Sequence, residues 1–84
     1  MSHSQPVIEA QILALTEARG PDKSICPSEV ARALEPEWQR LMTPVRQAAT
    51  RLALAGRIEI LRKGKPVDPA DFKGVIRLRA RAQA

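Results

Sequence analysis

The sequence predicts one mainly helical α+β domain, in which three helices precede a two-stranded β-hairpin. Apolar residues recur at helical spacing up to about residue 55, and start and stop signals divide that stretch into three helices. After Gly56 the apolar residues alternate with a period of two, which is typical of strands. A chain of 84 residues buries about 60% of its unfolded surface, enough for a single core. We therefore assign residues 1–84 to one domain, with flexible tails expected at residues 1–4 and 80–84.

The first helix is predicted from about Gln5 to Ala18, where Ile8, Ile12 and Leu15 share one face. Ser4 is the expected N-cap, and Gly20-Pro21 ends the helix. Leu13 lies off the apolar face, so it either packs against a neighbouring loop or is exposed as a dimer contact.

The second helix is predicted to begin after Cys26, with Pro27 in its first turn, and to end before Glu35-Pro36. A single helical turn over residues 37–42 carries Trp38. Thr43 is then the expected N-cap of a third helix over residues 44–55, which Gly56 closes. Residues 46, 47, 50 and 51 form the polar arc of this third helix.

Two β-branched runs after Gly56, residues 57–62 and 74–79, predict the strands of the hairpin. Their alternation turns Ile58 and Ile60 toward the helices and pairs Glu59 with arginines on the outer face. Between the strands, residues 63–73 are rich in Gly and Pro and predict a long loop rather than a tight hairpin turn. Residues 68–71 are expected to form a capped turn within that loop.

Charge is unevenly distributed along the chain. Residues 1–39 hold three basic and six acidic side chains, a net charge of −3, whereas residues 40–84 hold eleven basic and three acidic ones, a net charge of +8. This asymmetry is typical of proteins that bind a polyanion, and it assigns the basic surface to the second half.

The order of three helices followed by a hairpin with a long tip resembles a winged helix-turn-helix domain over residues 5–79. More narrowly, the string from Ser24 to Ala31, Trp38, the stretches Val45–Ala49 and Arg51–Ala53, and the stretch Gly56–Glu59 resemble a small bacterial family known only as a domain of unknown function. The resemblance implies double-stranded DNA as partner, with the helix over residues 44–55 in the major groove and residues 63–73 as the wing.

Seven side chains are the predicted DNA contacts, in three groups. On the third helix, Arg46 and Gln47 are expected to read base edges, because Arg pairs with guanine and Gln with adenine. Thr50, on the same arc, is expected to touch a phosphate or a thymine methyl group. The remaining contacts are expected at phosphates and in the wing, from Arg40, Arg51, Lys63 and Lys65. The competing interpretation is an ordinary solvated polar face, and Asp68 and Asp71 in the wing would repel phosphate unless they cap a turn.

Other notable side chains have structural interpretations. Trp38 is expected to fill the core rather than stack on a base, and Phe72 to hold the wing against the domain. Cys26 lies at a helix N-terminus without a resolving cysteine or base nearby in sequence, and His3 lies in a tail. No catalytic, metal-binding or cofactor-binding pattern is evident, so we predict a protein that is not an enzyme, has no cofactor and no small-molecule substrate.

The sequence thus predicts a DNA-binding transcriptional or nucleoid-associated regulator, with a homodimer as the expected route to tight binding. One cysteine, no signal peptide and no long apolar run predict a cytoplasmic protein without membrane contact. The alternative is a winged-helix module that binds another protein through its acidic first half or the hairpin edge. Double-stranded RNA or the ribosome is a third possible partner, with the same charge argument.

Overall fold

The computed structural model describes residues 3–70, 72 and 74–81. Its helices are α1 (Gln5–Arg19), α2 (Pro27–Leu34) and α3 (Met42–Leu54), with a 3₁₀ turn at Trp38–Leu41, and its strands are β1 (Ile58–Arg62), β2 (Lys65–Pro66) and β3 (Arg77–Ala80). The predicted class, a mainly helical α+β domain, is confirmed. None of the helices in the described ranges has the length and apolar character that a membrane span requires.

Local chemistry explains where the helices begin and end. At Gly20 the backbone takes a φ of +85°, and the Gly20 N–H bonds to the Thr16 carbonyl to end α1. Helix α2 starts at Pro27 as predicted, and the Cys26 N–H donates to Glu29 Oε2 at 2.8 Å. Thr43 is not an N-cap, which corrects the prediction: α3 begins at Met42, because the 3₁₀ turn runs into it through α-region backbone at Leu41.

The sheet has three antiparallel strands in the order β2-β1-β3, where the sequence predicted two. Lys63 and Gly64 make a tight two-residue turn between β1 and β2, with φ values of +53° and +80°. Both positive φ values suit the twist of a hairpin, so the prediction that residues 63–73 form one long loop without a tight turn was wrong. The shorter loop that remains joins β2 to β3, and in it Asp68 Oδ1 accepts the Ala70 N–H at 2.9 Å.

Strand β3 pairs with β1 in the predicted sense, with Glu59 opposite Arg79 and Ile60 opposite Leu78. It runs to Ala80, opposite Ile58, and so includes a residue of the predicted C-terminal tail. Its other edge bonds to Ile25 through reciprocal N–H···O bonds between Ile25 and Leu78, both 2.8 Å. Predictions for Asp71, Lys73 and tail residues 1, 2 and 82–84 fall outside the described residues.

The core lies between the three helices and the inner face of the sheet. Ile8, Ile12, Val45, Leu52 and Ile60 are among its members, each almost wholly removed from solvent. The partly buried side chains packed against this core include Leu13, Trp38 and Phe72. Leu13 therefore packs against the domain itself, and the structural interpretations of Trp38 and Phe72 agree with their positions.

Candidate nucleic-acid interface

The solvent face of α3 is centred on Thr43, Gln47, Thr50 and Leu54. The helix turns Val45, Ala48, Ala49 and Leu52 into the core. At 100° per residue, the residues of the solvent face fall on the opposite arc. Arg46 and Arg51 lie on the two flanks of this arc. The predicted polar face therefore exists, but its two arginines point to different neighbours.

Arg46 turns toward the loop between β2 and β3. Its Nη2 donates to the Gly74 carbonyl at 3.2 Å, and its guanidinium carbon lies 5.2 Å from the centroid of the Phe72 ring. A guanidinium at this distance over an aromatic face is attracted by the ring quadrupole. Arg46 is thus bonded within the protein, in a contact that spans 28 residues of sequence.

Arg51 and Arg40 form exposed ion pairs. Arg51 Nε lies 3.7 Å from Glu9 Oε2 on α1, with 64% of the arginine side chain exposed. Arg40 Nε lies 3.2 Å from Glu37 Oε2, with 79% of the arginine side chain exposed. Exposed pairs of this kind are worth about 0–1 kcal/mol. Either guanidinium can therefore exchange its carboxylate for a phosphate at small cost.

Gln47 and Thr50 differ in what they offer at the centre of the face. Gln47 is exposed, and its amide makes no hydrogen bond within the described residues. Thr50 is half-buried, and its hydroxyl donates to the Arg46 carbonyl at 3.0 Å, a common back-bond in helices. Gln47 retains its full donor and acceptor capacity, whereas Thr50 presents a methyl group and one acceptor oxygen.

The β1–β2 hairpin carries three further basic side chains. Arg62, Lys63 and Lys65 are all exposed around the tight turn, and no carboxylate of the described residues lies within 4.0 Å of their charged groups. The Arg62 guanidinium lies against Gly74, its Nη2 3.7 Å from the position a Cβ would occupy there. Arg62 was not among the predicted contacts.

Gly74, in the loop between β2 and β3, is approached by one side chain from α3 and one from β1. Arg46 reaches its carbonyl from α3, and Arg62 lies beside its Cα from β1. Arg46 on α3 and Arg62 at the end of β1 therefore approach the same loop residue. Of the seven predicted residues, Arg46 contacts Gly74, Gln47 and Thr50 lie on the solvent face of α3, and Lys63 and Lys65 lie at the β1–β2 turn. Arg51 and Arg40 pair with acids of the first half.

Reactive side chains elsewhere have ordinary partners. Cys26 is half-buried at the start of α2, where its Sγ accepts the Ser28 hydroxyl at 3.0 Å. His3 Nε2 lies 3.4 Å from Glu35 Oε2. No group of three His, Cys, Asp or Glu side chains in the described part of the chain is arranged to hold a metal ion. Trp38 has its ring covered by the Arg32 guanidinium at 4.6 Å, which leaves that face unavailable for stacking on a base.

A family model described as "Protein of unknown function (DUF3253)" matches residues 5–81. The chain belongs to this family. The match spans the helices and all three strands, so the DUF3253 unit and the structural domain coincide. Comparison with curated proteins found no match. The family description assigns no activity, and the function must be argued from the residues.

Proposed function

We propose that this DUF3253 domain is a winged helix-turn-helix that binds double-stranded DNA, with α3 in the major groove and the β1–β2 hairpin as the wing. The observation that carries the proposal is the approach of both basic elements to Gly74, where Arg46 of α3 bonds to the carbonyl and the Arg62 guanidinium of β1 lies alongside. In this proposal, α3 acts as the recognition helix and the basic hairpin as the charged tip. The element order and the net charge of +8 in residues 40–84 support the same reading.

The residues divide into base-reading and phosphate-binding roles. Gln47 is the base reader in this proposal, because its free amide matches the donor and acceptor pair of an adenine edge. Thr50 offers its methyl group to a thymine. Phosphate contacts come from the five basic side chains at the rim of the surface, Arg40, Arg51, Arg62, Lys63 and Lys65. These contacts supply affinity without direct sequence information.

Arg46 has a different role here from the one its sequence position predicted. Its bonds to Gly74 and Phe72 would have to break before it could reach a guanine. We assign it as a positioning residue that sets the distance between α3 and the wing. The number of base-reading side chains on one domain is then small, and tight sequence-specific binding requires a second copy on a paired half-site.

Salt dependence tests the proposal directly. Five phosphate contacts predict that log K falls with log[salt] at a slope of about −4 to −5. The assay is fluorescence anisotropy of a labelled random-sequence duplex, titrated with the protein at several salt concentrations between about 50 and 200 mM. Over this range the affinity of a phosphate-binding protein falls steeply. Absence of binding at the lower salt by a folded sample would overturn the DNA proposal and favour the protein-interaction alternative.

Two matched double variants locate the surface. Lys63→Gln with Lys65→Gln removes two charges from the hairpin tip and should reduce the slope by about 2. Arg57→Gln with Arg81→Gln removes the same charge from the opposite end of the sheet, where Ile58 pairs with Ala80. The second variant should leave the slope close to that of the unmodified protein. Equal losses in the two variants would contradict a contact made by the hairpin.

A further inference from the structure

A cleft of about 380 Å³ lies beside the β1–β2 turn, where Leu61 of β1 is paired with Arg77 of β3. Its apolar lining comes from Leu61 and Val75, and its polar lining from Ser24, Arg62, Lys63 and Arg77. The volume is at the small end of the range of about 300–1,000 Å³ for ligand-binding clefts. The DNA proposal does not use this cleft as a cavity, although Arg62 and Lys63 border both regions.

The apolar part of the cleft is unusual for its position. Strand alternation turns Ile58 and Ile60 inward, so Leu61 belongs to the outer face together with Glu59. Leu61 is nevertheless only 5% exposed, although the helices lie on the other face. Beside it, Val75 is 84% exposed, a large apolar side chain left in solvent. A ligand that covered Val75 would remove this apolar surface from water, which an inorganic ion cannot do as well.

The polar part of the cleft is cationic and partly immobilised. Arg77 donates from Nε to the Ser24 hydroxyl at 2.6 Å and from Nη2 to the Ser24 carbonyl at 2.9 Å. A guanidinium has five N–H donors, so three remain after these two bonds. Ser24 thus fixes the Arg77 guanidinium without neutralising its charge. A guanidinium that is already fixed loses less conformational entropy when it binds a carboxylate.

No acid balances this charge within the described residues. None of the side chains that line the cleft is acidic. No described carboxylate forms an ion pair with Arg62, Lys63 or Arg77. Three cations around an apolar floor, with free guanidinium donors, are complementary to an anion that also has an apolar body.

We propose that this cleft binds a small organic carboxylate with an apolar body of one or two rings. The carboxylate accepts hydrogen bonds from the remaining Arg77 donors, and Lys63 and Arg62 add positive charge from the hairpin side. The ring system covers Leu61 and Val75. The binding step is noncovalent and needs no DNA. Its test is therefore independent of the DNA-binding proposal.

The test is an NMR titration of the ¹⁵N-labelled full chain with three probes at matched ionic strength. 2-Naphthoate carries both required features, 2-naphthamide carries only the apolar body, and inorganic phosphate carries only the charge. We expect saturable shifts with 2-naphthoate at the amides of residues 61–64 and 75–77, with an affinity at least tenfold above either control probe. Equal binding of 2-naphthamide or of phosphate would overturn the proposal, as would shifts outside the cleft alone.

Variants then separate the cleft from general charge. Arg77→Gln should weaken 2-naphthoate at least fivefold, and Arg57→Gln, which removes an equal charge outside the cleft, should leave its affinity unchanged. Val75→Glu alters only an exposed side chain and places a carboxylate at the ligand's position, so binding should be lost while the spectrum of the core stays that of the folded protein. An unchanged affinity in Val75→Glu, or equal losses in Arg77→Gln and Arg57→Gln, would refute the assignment.

Discussion

Replacing Arg46 and Phe72, singly and together, tests whether α3 and the loop before β3 are joined as the structure indicates. Arg46→Met keeps the aliphatic stem but loses the 3.2 Å bond to Gly74 and the guanidinium 5.2 Å from the ring. A partly exposed cation–π contact contributes about 0.5–1 kcal/mol, and a hydrogen bond of this length about as much again. We therefore expect Arg46→Met to lower the free energy of unfolding by about 1–2 kcal/mol.

The double-mutant cycle isolates the contact between the two side chains. Combining Arg46→Met with Phe72→Leu should show a coupling energy of about 0.5–1 kcal/mol. Urea unfolding followed by the fluorescence of Trp38, the single tryptophan, supplies the four free energies. The control cycle combines Gln47→Met with Phe72→Leu, since Gln47 is exposed. The coupling energy of this control cycle should stay within about 0.3–0.5 kcal/mol of zero. Indistinguishable cycles would refute the reasoning.

Arg46→Met also distinguishes a positioning role from a base-reading role, once a preferred DNA site has been selected. If Arg46 positions the wing, Arg46→Met should weaken binding to selected and random duplexes by a similar factor. If Arg46 reads a guanine, the variant should relax specificity at one base pair and leave random-sequence binding nearly intact. A loss confined to one position would therefore overturn the positioning role.

Three further substitutions have defined outcomes. Ile60→Ala should lower the free energy of unfolding by about 2–5 kcal/mol in urea titrations, because Ile60 is buried among core residues, and a smaller loss would mean that the site collapses readily. Gly64→Ala meets open space at a φ of +80°, so only strain of about 1–2 kcal/mol is expected, and no loss would argue against the tight turn. Glu9→Gln frees Arg51 and should strengthen binding to a random duplex, measured by anisotropy, by up to about fivefold. This factor corresponds to an exposed ion pair worth at most about 1 kcal/mol. Weaker binding would remove Arg51 from the interface.

Much of the helical part and the facing of the strand residues were predictable because their signals are local. Pro27 and Gly20 mark helix boundaries through backbone restrictions that do not depend on tertiary structure. Alternation placed Glu59 on one face with Arg77 and Arg79, and the observed 2.6 Å ion pair is with Arg79. Boundaries were less accurate at α3, where a preceding 3₁₀ turn supplied the start that Thr43 was expected to cap.

Strand β2 escaped prediction because its residues contradict strand preferences. Lys65-Pro66 has no β-branched side chain, and proline removes a ladder donor. Proline is tolerated here because β2 is an edge strand, where one N–H per residue pair faces away from the sheet. The turn before it uses Lys63 in the left-handed region, a conformation more usual for Asn, Asp or Gly.

The candidate interface was predicted as a set of residue types but not as an arrangement. A helical wheel identifies which residues share an arc, whereas it contains nothing about which loop lies beside that arc. The Arg46 contact with Gly74 spans 28 residues and depends on how the β2–β3 loop returns to α3. Arg62 was missed for the same reason, since its relation to α3 exists only through Gly74.

The acidic first half has a specific consequence for the proposed interface. Glu9 and Glu37 hold Arg51 and Arg40 in exposed pairs, while the hairpin cations Lys63 and Lys65 have no such partner among the described residues. A phosphate can therefore bind the hairpin without competition but must displace a carboxylate at the α1 side of α3. If the domain binds DNA as proposed, phosphates should meet the hairpin charges without this cost, and each paired arginine should add its contact at a cost of at most about 1 kcal/mol. Under the same proposal, the hairpin is expected to supply most of the nonspecific affinity, and α3 the contacts that depend on a fitted duplex.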